Sequence, residues 1–189
     1  MTTRTTSTIA FLITAAVALA AGGTPEGWMH LGNDPGGYEM TTDPTGGIDG
    51  GPAAMIKSLK PQKGKFGTLM QTFQADEYRG KRVRLTAKVR TEGVKKSAGM
   101  WMRIDGEQGM LQFDNTRDRR LKGTTDWTEQ VIVLDVPDFA TTVNFGLILM
   151  EKGTAWMDKL DFEVVDRSVA STNTYQAKAR GPANLNFAN

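Results

Sequence analysis

Residues 123–166 read GTTDWTEQVIVLDVPDFATTVNFGLILMEKGTAWMDKLDFEVVD, and three parts of this stretch, 131–136, 143–150 and 155–165, are crowded with β-branched and aromatic side chains. Such side chains fit a pleated, half-buried surface, so each part is expected to be a strand. Pro137-Asp138 and Glu151-Lys152-Gly153 separate them with turn-forming residues. Short connections between successive strands predict an antiparallel meander.

The same reading extends upstream. Residues 81–91 alternate cleanly, with Val83, Leu85, Ala87 and Val89 on one side and Arg82, Arg84, Thr86, Lys88 and Arg90 on the other. Residues 98–105 and 109–115 are expected to form a hairpin around Gly106-Glu107-Gln108. Residues 53–59 and 66–75 have the composition of two further strands, and residues 24–52, broken by NDPGG and DPTGGIDGGP, that of an entry strand followed by a long ordered loop. No capped window of helical periodicity interrupts the series. Eight or nine short strands punctuated by turns predict an all-β fold, an antiparallel β-sandwich of the jelly-roll kind.

The two ends differ from this body. Arg4 precedes a thirteen-residue run, 9–21 (IAFLITAAVALAA), apolar but for Thr14, with small Ala18 and Ala20 before Gly22-Gly23. That is the grammar of an export signal. As a helix, the run reaches about 20 Å, short of the ~30 Å hydrocarbon core, so residues 1–23 are expected to be a signal peptide or a retained anchor lying in the inner membrane, with Ile9, Phe11 and Leu12 as its contacts. Residues 24–166 form the expected sandwich domain. Residues 167–189 are polar with scattered apolar anchors, Tyr175, Leu185 and Phe187 among them, and are expected to be an extended tail, disordered by itself, that either stays solvated or lies along a partner and contributes little to the fold.

Composition narrows the function. The 189 residues carry a net charge of +2, with acidic and basic residues interleaved, so no concentrated basic stripe exists to track nucleic acid. Cysteine is absent, which removes disulfides and thiolate metal sites. The single histidine, His30, and the lack of GxSxG, HExxH or a phosphate-binding glycine loop speak against an enzyme. No cofactor is implied.

Alternation around Trp101 puts Met100, Met102 and Ile104 on one side and Trp101, Arg103 and Asp105 on the other. The second side is too polar for a core. With Gln71, Gln112, Asp114 and Asn144 contributed by neighbouring strands, it either presents an indole plate ringed by amide, guanidinium and carboxylate groups, a set suited to sugar C–H faces and hydroxyls, or is framework, with Trp101 packed at the sandwich margin and Arg103 paired with Asp105 or Asp114. Arg82, Arg84, Lys88 and Arg90 form a basic row that either meets an anionic partner or is balanced by Asp161 and Glu163. Trp127 and Trp156 have the positions of framework residues.

The segments KFGTLMQTF (65–73), YRGKRVRL (78–85), AGMWMRIDG (98–106), GTTDW (123–127) and AWMD (155–158) together resemble a bacterial domain attached to transcriptional regulators and envelope proteins, itself similar to the galactose-binding-like jelly rolls of carbohydrate-binding modules. The resemblance covers residues 27–165 and implies the fold more than a function. It also implies a place for a structural calcium ion at Asp158, completed by Glu26, although the acid spacing of a calcium loop is missing. The absence of a helix-turn-helix pattern sets the regulator setting aside. Two functions are expected from these readings. One is a non-catalytic structural or adaptor subunit, periplasmic or extracellular, that docks on a membrane protein complex through its loops and chain ends. The other is a carbohydrate-binding module for envelope or extracellular polysaccharide.

Overall fold

A computed structural model of the chain describes residues 23–60 and 63–175. Among these residues nine antiparallel strands form: β1 Met29–Gly32, β2 Tyr38–Asp43, β3 Ala53–Ser58, β4 Phe66–Gln74, β5 Arg82–Gly106, β6 Gly109–Asp114, β7 Leu121–Asp135, β8 Ala140–Met150 and β9 Thr154–Val165. The helical segments among the described residues are two three-residue 3-10 turns, Pro35–Gly37 and Asp76–Tyr78. None is long and apolar enough to cross a membrane.

The 25-residue β5 organises the fold. Its first half lies between β7 and β9, and its second half between β6 and β8. From β9 the sheet continues to β3 and β2, and from β8 to β4 and β1. Two five-stranded layers, β7-β5-β9-β3-β2 and β6-β5-β8-β4-β1, therefore share one strand at a corner, and the architecture is an antiparallel β-sandwich jelly roll.

The two segments expected as separate strands, 81–91 and 98–105, are thus one. Before the corner the odd residues Val83, Leu85, Ala87 and Val89 are buried; after it the even residues Val94, Ala98, Met100, Met102 and Ile104 are. An uninterrupted strand would keep one parity. Register shifts between Thr91 and Ala98 reverse it, and Gly93, at φ +60°, takes the left-handed backbone that one of these irregularities needs. Both halves consequently face the same core.

The expected meander is not formed. β7, β8 and β9 each pair with β5 and none pairs with another of the three. Pro137-Asp138 and Glu151-Lys152-Gly153 carry the chain between layers, because turn composition marks a reversal of direction without specifying which layer receives the next strand. Residues 24–52 likewise hold two strands, one on each layer, where a single entry strand was expected. The hairpin of β5 and β6 is formed, with a bulge between Ile104 and Asp105.

The tail also departs from expectation in its first nine residues. Thr172 accepts a hydrogen bond on Oγ1 from Val133 N–H (2.9 Å) and donates its own N–H to Val133 C=O (2.8 Å). Phe113 N–H donates to Asn173 Oδ1 (3.0 Å), and Thr174 N–H to Phe113 C=O (2.8 Å). Val133 lies on β7 and Phe113 on β6, so residues 171–174 bridge the edges of the two layers. Arg82 fixes the preceding turn by donating to the carbonyls of Arg167 (2.8 Å) and Val169 (2.6 Å). Tyr175 donates its N–H to Asn173 Oδ1 (3.0 Å). Leu185 and Phe187, like Ile9, Phe11 and Leu12, lie outside the described residues.

Candidate functional site

The outward face of the layer β6-β5-β8-β4-β1 carries a groove of about 610 Å³. Register explains which side chains reach it. Trp101 stands beside Gly146, which stands beside Met70 and then Met29; Arg103 stands beside Asn144 and then Thr72. Cross-strand partners share a face, so these rows point outward together. Thr68, Leu31 and Ile148 complete the next row, and Phe113, Asn115 and Arg120 close the β6 side.

Four of the seven residues expected at this site, Trp101, Arg103, Asp105 and Asn144, are assembled around it. Asp105 Oδ2 accepts hydrogen bonds from Arg103 Nε (2.9 Å) and Asn144 Nδ2 (2.9 Å), and Arg103 adds a second contact at 2.8 Å. Thr72 donates its hydroxyl to Asn144 Oδ1. Trp101 is placed as expected but is only 9% exposed, with its indole N–H donated to Thr68 Oγ1 (2.8 Å). It forms the groove floor and not a free-standing plate. The exposed apolar surface comes instead from the β1 edge, where Met29 and Leu31 are 42% and 49% exposed.

Gln71, Gln112 and Asp114 lie on the opposite face. Their strand partners are Phe145, Ile104 and Met102, all of which point into the core. Sequence alternation gives the parity within a strand; the offset between strands, set here by the turn and the bulge, decides which parities share a face.

Asp114 has a different task. It is 0% exposed, accepts the Thr116 N–H on Oδ1 (2.7 Å) and pairs with Arg119 through Oδ2. Thr116, at φ +49°, donates its hydroxyl to Met100 C=O (2.9 Å). Gln130 receives Met100 N–H on Oε1 (2.7 Å) and donates to Arg119 C=O (3.2 Å). These buried polar groups pin the 115–120 turn against β5 and β7 and deliver Arg120 to the groove. The stem of Arg120 crosses Gly99, where a Cβ would lie 3.4 Å from its Cγ. Sequence reading missed Arg120, Thr72, Met29 and Leu31. The run TRDRR at 116–120 is the available signal for Arg120, though it does not say which of its three arginines turns to the groove.

The basic row on β5 is consumed within the domain. Arg82 grips Asp135 through Nε and Nη2 (both 2.9 Å), Arg84 pairs with Glu163, and Lys88 pairs with Glu129 (3.1 Å). The Arg82 guanidinium holds the Asp135 carboxyl below the usual carboxylate range, and Asp135 in turn raises Arg82. Glu163 plays its expected balancing part, while Asp161 faces solvent. Arg90 stacks over Trp156 at 3.8 Å and reaches Trp127 at 5.4 Å, and Trp156 Nε1–H donates to Asp43 Oδ2 (2.8 Å).

Asp158, the expected calcium ligand, is engaged by backbone amides. Asp158 Oδ2 accepts Ile48 N–H (2.9 Å) and Oδ1 accepts Lys159 N–H (2.6 Å), so the carboxylate closes a loop. Among the described residues no group of three acids or histidines gathers around Asp158, Glu26 or elsewhere.

No family model matches the chain. It is 43% identical over 150 residues to an uncharacterized HTH-type transcriptional regulator of Bacillus subtilis, an alignment covering 78% of this chain. The chain spans about half, 51%, of that relative's length. Its structure is similar to a CBM22 xylan-binding domain from Paenibacillus barcinonensis (TM-score 0.56, 12% identity, 76% of this chain and 88% of that one). It is similar also to a cyclase from Fischerella sp. TAU (TM-score 0.57, 15% identity, 76% of this chain and 87% of that one). The fold is therefore shared with both a polysaccharide binder and an enzyme, and none of these likenesses lends support to a subunit docked on a membrane complex.

Proposed function

We propose, for a chain with the galactose-binding-like jelly roll found in carbohydrate-binding modules, a non-catalytic role: recognition of envelope or extracellular polysaccharide in the groove on the β6-β5-β8-β4-β1 face. The observation that carries this reading is the groove's chemistry. It joins apolar side chains, the exposed Met29 and Leu31 and the half-buried Phe113, with a fixed polar set of Arg103, Asn144 and Thr72, on a rigid sheet. Sugar rings present C–H faces and planar rows of hydroxyls, and this pairing satisfies both. Its volume lies within the ~300–1,000 Å³ common for small-ligand sites.

Catalysis fits poorly. Glycoside hydrolysis uses two carboxyl groups roughly 5–10 Å apart across the scissile bond. Among the described residues no carboxylate lines the groove, and Asp105 beside it is occupied by Arg103 and Asn144. The relative's name concerns DNA binding, but the described residues here contain no helix longer than three residues. Ligand recognition is a task such a domain can serve in either setting. The apolar run at 9–21 supports an extracytoplasmic location, periplasmic or extracellular.

Affinity electrophoresis through gels containing xylan, β-glucan, polygalacturonate and alginate tests the proposal. The purified chain is expected to be retarded by at least one of them, and Arg103→Ala and Leu31→Ser to abolish the retardation with melting temperature preserved. Free migration of the native chain in every gel would overturn the reading.

A further inference from the structure

Most of the described arginines are matched to acids, and Arg117 and Arg167, which are not, are exposed to solvent. Arg79 pairs with Asp76, Arg82 with Asp135, Arg84 with Glu163, Arg103 with Asp105 and Arg119 with Asp114. Arg90 is stacked between two indoles. Arg120 differs. Its Nε donates to Asn115 C=O (3.0 Å) and one Nη reaches Ser97 Oγ (3.4 Å) and Met150 Sδ (3.0 Å), all neutral acceptors. Among the described residues no carboxylate comes within ion-pair distance of it.

This guanidinium lines the groove, half-buried, with its stem held over Gly99 beside the Trp101 floor. Burial, then repulsion from Arg117, lowers its pKa from the ordinary arginine value, the direction expected of a cation without a counter-ion. A half-buried cation without an anion costs free energy, and the buried polar groups Asp114, Thr116 and Gln130 are spent on the turn that puts it there. Arginine is also the side chain whose planar fork matches a carboxylate. Arg103, the other guanidinium of the groove, is already neutralised by Asp105.

We propose that the groove is a site for acidic glycan, in which a ring carboxylate of a hexuronate residue takes the place of the missing counter-ion on Arg120. This rests on the carbohydrate reading above and adds to it the substrate class. The neighbouring sugar then lies against Met29, Leu31 and Phe113, while its hydroxyls face Arg103, Asn144 and Thr72. Recognition of this kind distinguishes an acidic sugar from its neutral counterpart by charge and by the geometry of two parallel hydrogen bonds.

The test is calorimetric titration with oligogalacturonate, oligoalginate, their carboxyl-reduced counterparts, xylo-oligosaccharide and dextran sulfate. The native chain is expected to bind an acidic oligosaccharide at least about tenfold more tightly than its carboxyl-reduced form, with affinity falling as salt rises. Arg120→Gln is expected to abolish that preference, and Arg120→Lys to keep the salt dependence while losing affinity. Equal binding of acidic and reduced forms would overturn the acidic assignment while leaving the carbohydrate reading intact. Preference for dextran sulfate over every carboxylated oligosaccharide would overturn the carboxylate. Absence of binding to all six probes would overturn both.

Discussion

Asp114→Asn is the substitution that separates two roles for this carboxylate, framework and ligand contact. The side chain is 0% exposed, and its two oxygens serve the Thr116 N–H and the Arg119 guanidinium. Asparagine keeps the shape and an acceptor for Thr116, so the hydrogen bond that holds Thr116 at φ +49° survives. The charge opposite Arg119 does not. Removing one partner of a fully buried ion pair costs about 3–5 kcal/mol. Arg119 is 32% exposed and also donates to Asp118 Oδ1 and Val131 C=O (2.8 and 2.9 Å), so part of its charge is already served. That reduces the expected loss to about 2–3 kcal/mol. In a chain of this size each kcal/mol moves the melting temperature by about 2–4 °C, giving a fall of about 4–12 °C in a calorimetric scan. A variant that melts with the native chain but no longer binds glycan would show that Asp114 faces ligand, and the reasoning would be refuted.

Three further outcomes are expected. Thr172→Val, which takes the acceptor from Val133 N–H on an otherwise unpaired strand edge, should cost about 1–2 kcal/mol in urea unfolding; no loss would show that the 171–174 bridge contributes nothing to stability. The Asp135 carboxyl is lower in the folded chain than in the unfolded one, so the stability from its Arg82 pair is complete above about pH 4 and disappears as pH falls through the depressed folded value. Asp135→Asn should flatten the acid limb of a stability-versus-pH profile, and limbs of equal slope would contradict the assignment. Gly146→Ala places a Cβ 2.3 Å from Leu69 C=O and 2.8 Å from Met70 Cα, both backbone atoms of a paired strand, so a loss of about 3 kcal/mol is expected, and a native-like melting curve would contradict the close packing of β8 on β4.

Much of the sandwich was legible because burial in strands follows parity. Val83 to Val89 and Met100 to Ile104 declared their inward faces from composition alone. What alternation could not carry was the offset between strands, and for that reason Gln71, Gln112 and Asp114 were placed on the wrong face while Arg103, Asp105 and Asn144 were rightly brought together. The layer exchange of β7, β8 and β9 escaped for a related reason: a proline turn reports a reversal and says nothing about the destination. The bridge at 171–174 is built from Ser, Thr and Asn oxygens on strand edges, so its sequence is as polar as that of an unattached tail. Arg120 was hidden because the feature that distinguishes it, the lack of an acid nearby, belongs to three-dimensional surroundings and has no residue of its own.

The central claim is that glycan occupies the outward face of the β6-β5-β8-β4-β1 layer. The most direct measurement is a titration of the isotopically labelled chain with an acidic oligosaccharide, followed through backbone and side-chain amide shifts. The account expects the largest changes at Leu31, Met70, Arg103, Phe113, Arg120 and the Asn144 side chain, with residues of β2, β3 and β9 unmoved. Shifts concentrated on the opposite layer, or none at saturating oligosaccharide, would contradict it.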